Sequence, residues 1–218
     1  MDRLNKIASF IDNNDIVADV GCDHGYLLKI AIEDKKIAYA YAIDNKIGPL
    51  NQAKKTLKEF TNVKFILSDG LTNVSSDDID NINTVVIAGM GGLLINKIVN
   101  DSLSLLKKMK KIIVSPHNNI YEVRLNMNKN GFKINDEAII CDENCFYEII
   151  EYVLGEEKLN DCELNFGPVL LKKREKVFID KWNTYLNKIS NYKSKENEAN
   201  LIREVLNESN WCIKLFRK

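Results

Sequence analysis

The chain alternates short apolar runs with longer stretches whose apolar residues recur every three or four positions. Short apolar runs bounded by turn residues read as buried strands, and the three-to-four spacing reads as helix. On that basis strands are expected at Ile16–Val20, Ala38–Ile43, Val63–Leu67, Thr84–Ala88 and Ile112–Ser115. Helices fall between them at Tyr26–Glu33, Pro49–Phe60, Leu93–Lys108 and Tyr121–Asn130, the last closed by Gly131. A leading helix is expected over Asp2–Ile11, where Leu4, Ile7, Ala8 and Ile11 share a face and Asp2 can cap the first turn. Phe132–Ile140 and Phe146–Leu154 are two further strands with no helix between them. Alternation of this kind implies an α/β fold with a doubly wound, mostly parallel seven-stranded sheet. The last two strands lack a crossover, so they must pair antiparallel at one edge.

The pattern changes near the C-terminus. Gly155–Gly167 is polar and aperiodic and reads as a linker. Beyond it Leu171, Phe178, Trp182, Tyr185, Ile189 and Tyr192 follow alternating long and short helical steps, which predicts a coiled-coil seam. A turn is expected over Ser190–Ser194 and a second helix over Glu196–Glu208, giving a helical hairpin. The expected domains are residues 1–160 and 161–218. Formal net charge is zero over 218 residues, but it is unevenly spread. Residues 168–218 hold twelve Lys or Arg against six acids, leaving the rest of the chain acidic. A basic tail on an acidic body suits a polyanionic partner, and a solvated charged helix or a dimerisation element are the alternatives.

Five cysteines, Cys22, Cys141, Cys145, Cys162 and Cys212, match no zinc spacing, so no metal is expected and the thiols read as reduced. No apolar run approaches the ~18 residues of a membrane span, and the first residues hold no apolar signal core. A cytoplasmic monomer with no membrane partner is the expectation.

The chemistry-bearing residues cluster where strands end. Asp19-Val20-Gly21-Cys22-Asp23-His24-Gly25 joins the first strand to its helix. Glycines there let backbone N–H groups approach a ligand. The spacing is not that of a dinucleotide loop, and Asp19 and Asp23 would repel a pyrophosphate. They suit a cofactor carrying an amino group and a positive sulfur; a tight turn is the alternative. Asp44 and Asn45 follow the second strand, where an acid can accept from ribose hydroxyls. Asp69-Gly70 follows the third, placed to accept from an adenine amino group or to form a turn. Ala88-Gly89-Met90-Gly91 follows the fourth and leaves bare backbone against which a flat base can lie. Pro116-His117-Asn118 follows the fifth and adds polar groups.

These segments resemble the TrmK family of bacterial tRNA (adenine22-N1)-methyltransferases. The resemblance rests on Arg3-Leu4 with Ile7-Ala8-Ser9-Phe10, on Ala18–Leu27, Gly48-Pro49, Asp69-Gly70-Leu71, Ile87–Gly92, Tyr147-Glu148-Ile149 and Phe166-Gly167-Pro168. Ser115-Pro116-His117 stands where the family commonly has Gln-Pro-Asn, so no catalytic residue is assigned. The resemblance implies a Rossmann-like class I methyltransferase fold and S-adenosyl-L-methionine as cofactor. Asp19, Gly21, Asp23, His24 and Gly25 would then surround its methionine half. Asp44 and Asn45 would hold the ribose, Asp69 and Gly70 the adenine, and Ala88 and Gly89 would also contact the cofactor. Gly89, Met90, Gly91, Pro116, His117 and Asn118 would line the target-base pocket. Lys172, Lys173, Arg174, Lys176, Lys181 and Lys188 on the hairpin would grip tRNA. A small-molecule or protein methyltransferase with the same cofactor, and a non-catalytic nucleotide-binding module, are the alternatives.

Overall fold

The computed structural model describes residues 2–35 and 37–207. Cys212 and the expected helix end at Glu208 lie outside the described residues. The elements in chain order are α1 (Asp2–Ala8), β1 (Ile16–Val20), α2 (Tyr26–Lys35), β2 (Tyr39–Asp44), α3 (Ile47–Thr56), β3 (Val63–Leu67), α4 (Ser76–Asn81), β4 (Thr84–Met90), α5 (Gly92–Asp101), α6 (Leu103–Leu106), β5 (Lys111–Pro116), α7 (Ile120–Lys129), β6 (Phe132–Asp142), β7 (Cys145–Leu154), α8 (Asp161–Phe166), α9 (Pro168–Lys173), α10 (Lys176–Ile189) and α11 (Glu196–Asn207). A single 3-10 turn, Lys193–Lys195, precedes α11. The compact units divide between Leu171 and Lys172.

The first unit is built on one seven-stranded sheet ordered β3-β2-β1-β4-β5-β7-β6. Strands β1 to β5 pair in parallel, and β7 is antiparallel to both β5 and β6. Strand order reverses between β1 and β4, which opens a crevice at the carboxyl ends of those strands. Side chains alternate between two apolar layers, as period-two geometry requires. Ala18, Val20, Tyr41, Ile43, Val85 and Ile87 enter one layer with α5 and α7. Val17, Ala40, Ala42, Val86 and Ile113 enter the other with Ile7, Leu27, Leu28, Leu50 and Ala53 of α1, α2 and α3. Asp19 and Asp44 share the parity of Val17 and Ala42. They therefore end on the face covered by α1–α3.

Three local expectations are corrected. Helix α1 stops at Ala8, and the long helix predicted over 93–108 breaks at Ser102 into α5 and α6. The Gly155–Gly167 segment is not a plain linker. It contains α8, where Asn160 accepts from the N–H groups of Cys162 and Glu163 and the Glu163 carboxylate accepts from the Asn160 N–H. That reciprocal cap holds a helix too short to show periodicity.

Segment 161–171 packs on the first unit through a buried guanidinium. Arg124 of α7 is fully buried and ion-pairs with Glu137 of β6 and Glu148 of β7. It also donates to the Leu164 and Asn165 carbonyls. Glu137 Oε2 in turn accepts from the Val169 N–H at 2.9 Å. Burial alone would lower the Arg124 pKa, but Glu137 and Glu148 reverse that and hold it above the ordinary guanidinium value. Gly167 has φ +85°, and a β-carbon there would lie 2.5 Å from Glu137 Oε2 and 2.6 Å from Arg124 Nη2.

The second unit is an antiparallel pair, α10 and α11. Phe178 and Ile189 of α10 and Ala199, Ile202 and Val205 of α11 are buried. Tyr185 donates its hydroxyl to Glu198 at 2.8 Å. Arg174, at φ +45°, interrupts the helix before α10 and donates to the Val205 and Leu206 carbonyls at the end of α11. The expected seam is therefore shorter than predicted. Leu171 belongs to α9, and Tyr192 lies beyond α10 and is exposed.

Arg124→Ala leaves two buried carboxylates without their cation and should destabilise the protein by roughly 3–5 kcal/mol in denaturant unfolding. Gly167→Ala should act in the same direction, through both its clash and its positive φ.

Candidate active site

A cavity of about 320 Å³ opens at the carboxyl ends of β1 and β4. It is lined by Arg3, Leu4, Asp19, Gly21, Cys22, Asp23, His24, Tyr26, Leu27, Ala88, Gly89 and His117. Seven expected site residues thus meet there: Asp19, Gly21, Asp23, His24, Ala88, Gly89 and His117.

The loop after β1 is held in shape by β2. Both Gly21 N–H and Cys22 N–H donate to the Ile43 carbonyl, at 2.8 and 2.9 Å. Asp44 accepts from the Asp23 N–H with one oxygen and from the Lys46 N–H with the other. Asp44 is thus first a brace for the loop, which fixes its carboxylate beside Asp19. Gly21 has φ +78°, and a β-carbon on it would meet Met90 Cε at 2.7 Å. Gly25 is needed for packing instead: a β-carbon there would press on Leu57 and Ala53 of α3. His24 stands 3.6 Å from Asp23 and stacks beside Tyr26.

The electrostatics are one-sided. Asp19 is buried, and no hydrogen bond or ion pair reaches its carboxyl among the described residues. Burial, with Asp44 and Asp23 nearby, pushes its pKa up to about 7. The Cys22 thiol is pushed far up by burial and by the same three carboxylates. The β1-loop side of the pocket, across which Asp19, Asp23 and Asp44 gather, is short of positive charge, and an amino group and a sulfonium would both relieve it. The donor set therefore fits the methionine half of S-adenosyl-L-methionine.

The remaining expected residues are dispersed. Asn45 is exposed beyond the cavity. Asp69 ion-pairs with Lys97 at 3.2 Å, and Gly70 packs under Ile98. Asn118 Oδ1 accepts from the Gly92 N–H, and Gly91 lies against the same side chain, so both shape the start of α5. Pro116 is buried at the end of β5, paired with Met90.

Sequence reasoning passed over Arg3 and Tyr147 as site residues. Helix α1 places the Arg3 guanidinium 4.3 Å above the Tyr147 ring and 3.1 Å from His117 Nε2. The Arg3 backbone N–H donates to Asp142 at 3.2 Å, and its Nε is buried without a partner. Burial and the neighbouring Arg3 both lower the His117 pKa. Its ring is therefore neutral near pH 7, with Nε2 accepting from Arg3 and the proton on Nδ1.

The second unit holds the basic residues expected to meet tRNA. Lys172 and Lys188 are exposed, Lys176 pairs with Asp180, and Lys181 lies 4.7 Å over the Trp182 ring. Arg174 is occupied by the carbonyls of α11. Among the described residues no group of three or more His, Cys, Asp or Glu could hold a metal ion, and no described helix is long and apolar enough to cross a membrane.

A sheet of this order, with an antiparallel terminal hairpin and a glycine-and-carboxylate loop at its switch point, defines a Rossmann-like S-adenosylmethionine-dependent methyltransferase fold. The chain belongs to the TrmK family, described as tRNA (adenine(22)-N(1))-methyltransferase, whose sequence model matches residues 17–214. It is 28% identical over 189 residues to the tRNA (adenine(22)-N(1))-methyltransferase of Bacillus subtilis, covering 83% of this chain and 78% of that protein. Its structure is similar to that of Streptococcus pneumoniae Sp1610 in complex with S-adenosyl-L-methionine, with TM-score 0.88, 31% identity, and 94% and 99% of the two chains covered. It is also similar to M. capricolum TrmK in complex with S-adenosyl-homocysteine, with TM-score 0.81, 27% identity, and 94% and 96% covered.

The raised pKa of Asp19 gives a pH prediction. Between about pH 4 and pH 7 the folded protein keeps a proton on Asp19 that the unfolded chain has lost. This contribution to the stability of the cofactor-free protein therefore falls as pH rises through that window, with a slope of up to about 1.4 kcal/mol per pH unit. Asp19→Asn should be more stable than the parent above pH 7 and lose the difference toward pH 4, as read by urea unfolding at each pH. Cofactor affinity should move oppositely, weakening below pH 7 as Asp19 takes up a proton.

Proposed function

We propose that this protein uses S-adenosyl-L-methionine to methylate N1 of adenine 22 in tRNA. The observation that carries the reading is the cluster of carboxylates on the β1-loop side of the cavity at the β1–β4 switch point, in a chain of the TrmK family. When bound, the cofactor supplies an electrophilic methyl group on a positively charged sulfur. Asp19, Asp23 and His24 would surround its methionine half, and Asp44 with Asn45 its ribose. Asp69 and Gly70 would lie toward its adenine.

Adenine N1 brings its own lone pair, so the protein needs no covalent nucleophile. Its task is orientation, which in favourable cases is worth ~7–11 kcal/mol. The bulged end of β4 supports that task. Gly89 has φ +77° and leaves the cavity wall free of a side chain there. With Met90, Gly91, Pro116, His117 and Asn118, it would form the target-base side. N1 is on the pairing edge of adenine, so the base must be unpaired or turned out to react.

The tail, residues 161–218 with the helical pair as a short coiled-coil hairpin, would bind the tRNA backbone through Lys172, Lys173, Lys176, Lys181 and Lys188. Arg174 would contribute by fixing the hairpin. A monomer acting in the cytoplasm fits this reading.

Incubation with unmodified tRNA and labelled cofactor should place one methyl group on N1 of adenine 22, located by nuclease mapping. Methyl transfer elsewhere, or none while the cofactor is bound, would sink the proposal. Lys172→Ala with Lys188→Ala should weaken tRNA binding at low salt and flatten the salt slope by about one phosphate contact per lysine. Cofactor affinity should stay unchanged. Asp44→Ala should do the reverse, weakening the cofactor dissociation constant in a binding titration.

A further inference from the structure

Arg3 occupies an unusual position for a residue at the start of a surface helix. Its guanidinium lines the cavity, while the Tyr147 ring lies behind it and does not line the cavity. His117 Nε2 receives one of its N–H groups, and the Ser115 carbonyl lies 3.5 Å from Nη2. Tyr147 meets His117 edge-on, with ring centroids 5.9 Å apart. The plane of the guanidinium is therefore set from three directions. Its Nη2 stands 3.8 Å from the point where a β-carbon on Gly89 would sit, so the bare backbone of β4 borders it. Asp19 and Asp23 line the same cavity.

We infer that Arg3 is the stacking platform for the target adenine, with Tyr147 as the positioning residue that backs it. This rests on the reading of the site as an adenine-N1 methyltransferase and adds the residue that receives the base. A flat, delocalised cation held against an aromatic ring offers its free face to an unpaired base, a mode common in RNA recognition. The charge of Arg3 also has a direction in time. Neutral adenine stacks on it, whereas N1-methyladenine is cationic and is repelled, which favours release of the product.

The test uses the full-length protein and unmodified tRNA. Arg3→Lys keeps the charge and removes the plane. It should lower kcat/KM for tRNA by about tenfold, the equivalent of losing one stacked base. The cofactor dissociation constant and Tm should stay at parental values. Tyr147→Phe should keep parental kcat/KM, and Tyr147→Leu should lose it, because a ring is required behind the guanidinium and a hydroxyl is not. Arg3→Lys within twofold of the parent would overturn the inference while leaving the methyltransferase reading intact. So would an equal loss of cofactor affinity, which would move Arg3 to the cofactor half of the cavity. Absence of methyl transfer by the parent protein would instead overturn the broader reading.

Discussion

The sheet neutralises its buried acids at one edge and leaves them uncompensated at the other, and the site depends on that asymmetry. At the amino edge, Lys110 and Lys111 stand against Asp12 and Asp15, and Lys111 also reaches Glu151. Beneath the terminal hairpin, Arg124 answers Glu137 and Glu148. At the carboxyl edge Asp19 has Asp44 and Asp23 as charged neighbours, and no ion pair reaches it among the described residues. A buried carboxylate costs free energy unless it is paired or protonated. Asp19 lowers that cost by taking up a proton as pH falls through about 7.

The rest of the fold can be seen as holding this edge open. Strand β2 braces the loop through the Ile43 carbonyl and the Asp44 carboxylate. Strand β4 contributes a bulge, and Gly21 leaves room for Met90 where any side chain would collide. Helix α1, packed by Ile7 and Ala8 on the α1–α3 face, brings Arg3 to the cavity. The Arg124 cluster fixes the β6–β7 hairpin from which Tyr147 projects.

Much of this was legible in the sequence for identifiable reasons. Strands β1, β2, β4 and β5 are largely apolar runs because both their faces are covered, whereas the edge strand β3 is broken by the exposed Lys64. Asp19 and Asp44 stood out as carboxylates ending such runs. What was hidden depends on contacts between distant segments. Arg3 and Tyr147 lie at opposite ends of the first unit, and an arginine in a first turn reads as a solvated charge. Helix α4 carries too little apolar content for periodicity, and its signal is the Ser75 cap on Asp78. Gly25 reads in the sequence as part of a ligand loop, and what the sequence hides is its further need for glycine, a φ of +74° and the closeness of Ala53 and Leu57. Arg174 looked like a free basic residue until the carbonyls of α11 claimed it.

The crowding of carboxylates around the loop has an effect on a thiol within it. Cys22 is buried among them, and its thiol is held far from ionisation. Oxidants and electrophiles attack the thiolate, so burial and the surrounding carboxylates both lower the reactivity of this cysteine even though it lines the cavity. Among the described cysteines, Cys141 and Cys145, exposed beside the turn between β6 and β7, are the thiols open to such reagents.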